Sequence, residues 1–297
     1  MGAILVASQS TKNIIIALAM MAPFLILYLI FTIFPAFYAF YYSLYRTSPT
    51  GELFIGLGNY IYYLTGRDSR FVYGMQNVLI YGIANILTLI IALITAWVIS
   101  SSYVSNRRYI NFVQIVMLLP MVIPWVALGM ALNQSTSSVL GIAMYFNNNI
   151  RIQHPANDFN MARWYVSSLI IWATLGYNTM LTTATLRTLP QDYIDAAKID
   201  GASEWQIFRH VVLPLIKNII VFSAIGAIIA AFNIFDPVAT LTGGGPAWIS
   251  TSVAYYAARQ LMYAYNYGGA CAMGVIVISV VLIISIVQYR FIYKRIV

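Results

Sequence analysis

"LPQDYIDAAKIDGASEWQIFRHVVLPL", residues 189–215, holds Asp192, Asp195, Asp200 and Glu204, four of the eight carboxylates in a chain of 297 residues. Long apolar runs flank it on both sides. Pro190 suits the first turn of a helix, where its missing N–H costs nothing. Asp192 and Asp195 then lie near the positive end of the helix dipole, with Lys198 three residues beyond Asp195. Ala196 and Ala197 give that helix a thin face, and Gly201 is the residue type that ends a helix in a left-handed turn. Ser203-x-x-Gln206 has the spacing of a capping box for a second helix. Trp205, Phe208 and Val212 recur at helical intervals, and Leu213-Pro214 is expected to stop the run. The pattern is helix, glycine bend, helix. Its aromatic side must be buried either on the ends of neighbouring apolar segments or on a partner.

The rest of the chain shows what surrounds this hairpin. Hydrophobic residues make up 61% of it and charged residues 8%, against about 25% charged in a soluble domain. Lipid, not water, is the solvent for such a surface. About 20 apolar residues span a bilayer as a helix, and six runs qualify: 14–42, 77–101, 110–131, 164–186, 216–237 and 269–289. The first starts after Lys12 and is too long for a cleaved leader; Pro23 and Pro35 are expected to kink it. No strand-period alternation is sustained, which argues against a β-barrel. The expectation is an all-α polytopic membrane protein, 1–297 forming a single transmembrane domain with 190–212 as an insert within it.

Basic residues orient the spans. With the N-terminus inside, the inner segments hold ten lysines and arginines, all four lysines among them, and the outer segments hold six arginines. The connections are short enough for the positive-inside rule to apply, so both termini and the hairpin are expected in the cytoplasm. The net charge of +8 reads as topology-setting charge beside anionic lipid, not as a nucleic-acid surface. The single Cys271 excludes an internal disulfide, and two histidines, His154 and His210, leave no His-rich metal centre. Lys217 and Asp236 stand at span edges and no charge falls near a midplane, which disfavours a proton- or sodium-coupled carrier. The glycines of "TGGGPAWIS", 242–250, are not followed by Lys-Ser or Lys-Thr, so they form no phosphate-binding loop. No HExxH or Ser-His arrangement suggests catalysis. Asn133-Gln134-Ser135 is a glycosylation sequon at the expected outer end of the third span.

Asp195-Ala196-Ala197, three residues, Gly201, nine residues, then Val211-x-Leu213-Pro214 resembles the EAA loop of the permease subunits of ABC importers, with Asp for Glu and Val for Ile. "APFLILYLIFTIFPAFYAFYYSLY" (22–45), "FIGLGNY" (54–60), "LLPMVIPWVALGMAL" (118–132) and "FNIFDPVATLTGGGPA" (232–247) are similar to segments of the sugar-type branch related to the maltose importer. The resemblance implies a type I ABC importer permease fold. It also implies a second homologous permease in a heterodimer, two ATP-binding cassette ATPases that hold ATP and Mg, and an extracellular or periplasmic solute-binding protein. This chain would then need no cofactor of its own. Asp195, Ala196, Ala197, Gly201, Trp205, Phe208, Leu213 and Pro214 would carry ATPase coupling. A neutral sugar, such as glucose or an oligosaccharide, is bound by aromatic stacking and by amides and hydroxyls, which makes Trp172, Thr174, Tyr177, Asn178 and Asn233 the candidate pathway. The resemblance places Trp172 and Tyr177 near the sugar site. Glycerol-3-phosphate is the alternative solute. The implied location is the cell membrane of a bacterium or archaeon.

Overall fold

The computed structural model describes residues 16, 18–100, 106–146 and 153–293. Lys12, Arg151, Lys294 and Arg295, all used in the charge count, lie outside the described residues, as do both termini. Among the described residues the fold is all-α apart from one β-hairpin. Four of the expected spans fall on helices long and apolar enough to cross a membrane: α1 (Leu18–Tyr42), α3 (Ser69–Ser100), α8 (Glu204–Phe232) and α11, whose apolar part is Tyr267–Val287. The expected fourth span is α6 (Ala162–Arg187), 26 residues long and so about 39 Å at the helical rise. It is richer in Thr, Ser and Asn than the others.

The third expected span, 110–131, is not one straight helix. It divides into α4 (Arg107–Val122) and α5 (Trp125–Phe146), bent by 102° at the break. The cause lies in Ile123-Pro124. The proline ring pushes the residue before it out of the helical region, and Ile123 sits at φ −81°, ψ 132°. The sequon is therefore inside a helix, not at a span's outer end. Asn133 Nδ2 donates to the carbonyl of Leu241 at 3.0 Å, so its amide joins α5 to the next short helix.

By backbone contacts the chain divides into two units. In the first, residues 1–61 with 260–276, α1 runs through Pro35 without breaking. A π-turn, Leu29–Ile33, precedes the proline, and Phe34 N–H reaches Leu29 O five residues back. None of the described residues of α1 is buried; its apolar surface needs lipid or another chain. After it come the antiparallel pair β1 (Tyr45–Ser48) and β2 (Gly51–Phe54) and then α2 (Gly58–Leu64). Asn59 donates to Ser43 O and Tyr45 O, both at 2.8 Å. A Cβ on Gly268 would lie 1.8 Å from Tyr45 O, so only glycine lets the start of α11 approach this strand.

In the second unit, residues 62–259 with 277–297, α3 packs along α6 and along α8, α4 packs on α6, and α5 on α9 (Asp236–Leu241). Ala84, Thr88, Ala92 and Ala96 recur every fourth residue along α3 and are buried; small residues on one stripe let membrane helices approach closely. Gly176 of α6 does the same for α4, since a Cβ there would stand 1.9 Å from Met117 O.

Candidate functional site

The expected hairpin forms, with one change to its end. α7 (Gln191–Ile199) starts from Pro190, which is the N-cap in extended conformation and not a first-turn residue. It ends in a Schellman turn: Gly201 N–H donates to Lys198 O and Ala202 N–H to Ala197 O, each at 3.0 Å, with Gly201 at φ +78°. Ser203 and Gln206 close a reciprocal capping box, Ser203 N–H donating to Gln206 Oε1 at 2.7 Å. The second helix does not stop at Leu213-Pro214. It is the start of α8 and continues to Phe232. A π-turn, Phe208–Val212, precedes the proline, and Leu213 N–H bonds Phe208 O. A regular helix would set the proline ring against the carbonyl four residues back; the widened turn moves that carbonyl aside, and the helix passes through. The fifth span and the hairpin's second helix are thus one rod.

The residues of the loop divide between two faces. Phe208 is buried at 4% exposure, its ring 5.3 Å from Trp97 of α3, within a core of Ala96, Leu186, Ile207, Val212 and Ile216. Ala197 and Leu213 pack against the same core. Asp195, Ala196, Gly201, Trp205 and Pro214 are exposed. Trp205 is 61% exposed, and Tyr193 and Ile199, which sequence reasoning did not single out, are 58% and 86% exposed. Their signal was present in the sequence as large apolar residues on the polar side of a short helix.

The candidate pathway residues are not gathered into one site. Trp172 and Tyr177 are both about half exposed, but five residues on a helix of about 3.6 residues per turn leave them roughly 140° apart. Thr174 Oγ1 donates to Ile170 O at 2.7 Å and Asn178 Nδ2 to Thr174 O at 2.9 Å, so both are bonded within their own helix. Asn178 also lines a groove of about 100 Å³ between α3, α6 and α8, otherwise mostly Ile and Leu. Asn233 is exposed at the end of α8, its amide 3.5 Å from Ile229 O. Among the described residues no group of three or more His, Cys, Asp or Glu could hold a metal ion.

The family described as "Binding-protein-dependent transport system inner membrane component" matches residues 89–297, which include the hairpin and well over half the chain. The chain belongs to this family. It is 36% identical over 123 residues to the trehalose/maltose transport system permease protein MalF of Thermococcus litoralis, covering 40% of each chain. It is 27% identical over 188 residues to the sn-glycerol-3-phosphate transport system permease protein UgpA of Agrobacterium fabrum, covering 63% of this chain and 64% of that one. The matches thus span less than two thirds of the length of these curated relatives. A chain in the crystal structure of a bacterial ABC transporter involved in the import of the acidic polysaccharide alginate has the same fold, with TM-score 0.82 over 97% of this chain and 98% of that one at 19% identity.

The glycine-rich loop that forms no phosphate-binding site is itself firmly fixed. Thr242–Ser252 is held at nearly every residue. Three successive carbonyls are taken by side chains from the two long helices. Ile249 O accepts from Asn77 Nδ2 at 2.7 Å and from Arg163 Nε at 3.0 Å, Ser250 O from the Tyr81 hydroxyl at 2.5 Å, and Thr251 O from Asn77 Nδ2 at 2.6 Å. Ser250 Oγ donates to Gly245 O at 2.6 Å, and Ser252 Oγ to Ile234 O. Ser250, Thr251, Asn77 and Tyr81 are fully buried. Beside the loop, Trp248 lies under the guanidinium of Arg70, 5.2 Å from its ring centre. The hydroxyl of Tyr256, on α10 (Val253–Tyr263), donates to Asp68 at 2.6 Å; burial, and then that bond, push its pKa well above the ordinary tyrosine value. Asn77, Tyr81 and Arg163 were missed in sequence because each is an ordinary residue type whose partner lies 86 to 174 positions away.

Proposed function

We propose that this chain is a membrane-spanning permease subunit of an ATP-driven, binding-protein-dependent importer that moves a sugar across the cell membrane of a bacterium or archaeon. The observation that carries the reading is the hairpin: a capped, Schellman-closed pair of helices whose outer surface exposes Tyr193, Ile199 and Trp205 while Phe208 is anchored to α3. Such a face fits a cleft in a soluble ATPase, and a rigid second helix running into α8 would carry the ATPase's motion to the span. The partners are a second homologous permease, two ATPases that bind ATP and Mg, and an external solute-binding protein. ATP would clamp the ATPases together and turn the pathway outward; hydrolysis would return it inward. Both termini and the hairpin face the cytoplasm, and this chain uses no cofactor of its own. Trp172, Thr174, Tyr177, Asn178 and Asn233 are the candidate solute contacts of this subunit, acting singly along the route and not as one aromatic platform.

A sugar is favoured because the spans carry uncharged aromatics, amides and hydroxyls, and because one relative is described as a trehalose/maltose permease component. The likeness to a glycerol-3-phosphate component makes that solute the second arm of the test. The complex encoded with this chain, reconstituted in liposomes, should show ATPase activity stimulated by its binding protein and a maltose-type oligosaccharide or glucose. Stimulation by glycerol-3-phosphate alone would replace the sugar. An assembly whose transport ignores ATP would overturn the importer reading.

A further inference from the structure

The loop 242–252 and the hairpin are gripped by the same two helices, one at each end. At the loop end the single carbonyl of Ile249 accepts from Asn77 of α3 and from Arg163 of α6. A Cβ on Gly74 of α3 would meet Val253 N at 3.1 Å, so the backbones there are in contact. At the hairpin end Trp97 of α3 and Leu186 of α6 are both buried in the core around Phe208. Between the ends, α3 is an unbroken helix of 32 residues, about 48 Å long. It packs along α6, with Ala84, Thr88, Ala92 and Ala96 buried along its length, and meets α8 through Asn85, whose amide donates to Ala227 O at 3.1 Å. Packed helices of low compressibility transmit strain along their length.

We propose that α3 and α6 are one connector between the loop 242–252 and the hairpin, with Tyr81 and Trp97 as the positioning residues at its two ends. Neither touches a solute. Tyr81 holds the loop through Ser250 O, and Trp97 holds the hairpin through Phe208. Loosening either grip shifts the same packed pair and so relaxes the other end. Coupling of this kind is reciprocal by thermodynamic necessity. It rests on the reading of the hairpin as the ATPase-docking element only for its consequence in transport, not for the coupling itself.

The test therefore needs neither partner nor solute. Amide hydrogen exchange is followed in the purified full chain in lipid nanodiscs, for wild type, Tyr81→Phe and Trp97→Phe. Tyr81→Phe removes one hydroxyl at the loop end, and the expected result is exchange about fivefold faster or more at residues 204–213. Trp97→Phe should raise exchange at 249–253 to a similar degree, with amides of α5 at 131–140 unchanged. Acceleration confined to the mutated end in both variants overturns the connector. Acceleration everywhere, α5 included, reports general unfolding. In that case Arg163→Met, which removes the other donor to Ile249 O, replaces Tyr81→Phe: faster exchange at 204–213 with α5 unchanged supports the connector, and its absence overturns it. In the reconstituted complex, binding-protein stimulation lost in Tyr81→Phe with basal ATPase retained agrees with the hairpin reading. A far-end exchange change with no ATPase effect keeps the connector and removes that reading.

Discussion

Trp205 and Phe208 are three positions apart on one helix with their rings 5.5 Å apart, yet Phe208 is buried and Trp205 is mostly exposed. Replacing Phe208 by Ala empties a site between Trp97 and Ile207 and should cost about 3–5 kcal/mol of stability. Replacing Trp205 by Ala removes its ring contact with Phe208 and should cost about 0.5–1.5 kcal/mol while releasing the ATPase. Thermal unfolding of the purified chain and co-purification of the ATPase, measured on both variants, check the contrast; a Trp205→Ala protein that keeps its ATPase removes Trp205 from the docking face. Two glycines separate in the same way. Gly201 has nothing within 4 Å of an added Cβ but sits at φ +78°, so Gly201→Ala carries only the left-handed penalty of roughly 1–2 kcal/mol. Gly176 has ordinary dihedrals and no room. Gly176→Ala drives a methyl into the Met117 carbonyl and should separate α4 from α6, lowering the unfolding temperature more than Gly201→Ala does. Equal shifts would contradict the close approach. For Gly201→Val the expectation is folded spans, an assembled permease pair and lost uptake, because a β-branched residue is strained where the hairpin bends.

At the scale of elements, sequence reasoning was most reliable where one local rule acts alone. The glycine stop, the capping box and the apolar runs are short-range patterns, and the hairpin of Gln191–Ile199 followed by a helix from Glu204 follows from them. It failed where two local rules compete. Proline ends helices, and so Leu213-Pro214 reads as a stop; five residues of π-turn before it reverse that outcome, and nothing in side-chain periodicity reveals a π-turn. Pro124 shows the rule working with unexpected force, since 110–131 looks like one apolar span and becomes two helices at 102°. The pathway set was drawn from residue types without their directions, and bonds within α6 occupy two of its five members. The sequon gives the prediction at this scale. Asn133 lies in mid-helix with its amide on the Leu241 carbonyl, so expression in a glycosylating host should leave the protein's mass unchanged. A glycan at Asn133, detected by mass spectrometry, would mean that α5 and α9 part.

For the whole molecule, the main expectation is sidedness. In a Cys271→Ala background, Ser203→Cys should react with a permeant maleimide and not with an impermeant one applied to intact cells, whereas Ala247→Cys, on the loop, should react with both. External labelling at Ser203 would invert the protein and place the hairpin beyond reach of any cytoplasmic ATPase. The purified chain alone should hydrolyse no ATP, since its glycines lack the Lys-Ser/Thr that cradles phosphate; robust activity free of contaminating ATPase would overturn the division of labour. The unburied surface of α1 is likewise a property of the assembly. The sequence shows that it is apolar; in the proposed heterodimer the second permease would decide which part of it meets lipid.

Among the described residues, Pro23 of α1 and Pro120 of α4 lie in regular helix with no π-turn before them, whereas Pro35 and Pro214 stand at the same distance behind a π-turn: Leu29–Ile33 ends two residues before one, and Phe208–Val212 two residues before the other. A π-turn is one residue more than a regular helix would use. At these two positions the proline and its surplus residue therefore act as a pair. Deleting one residue from 208–212 would restore the regular spiral and bring the carbonyl back against the ring. Replacing Pro214 alone would leave a surplus with nothing to accommodate. Removing both should give an ordinary straight helix in the original phase. Drift in this chain should then lose proline and insertion together, so that a change in length by one residue is the footprint a vanished proline leaves behind.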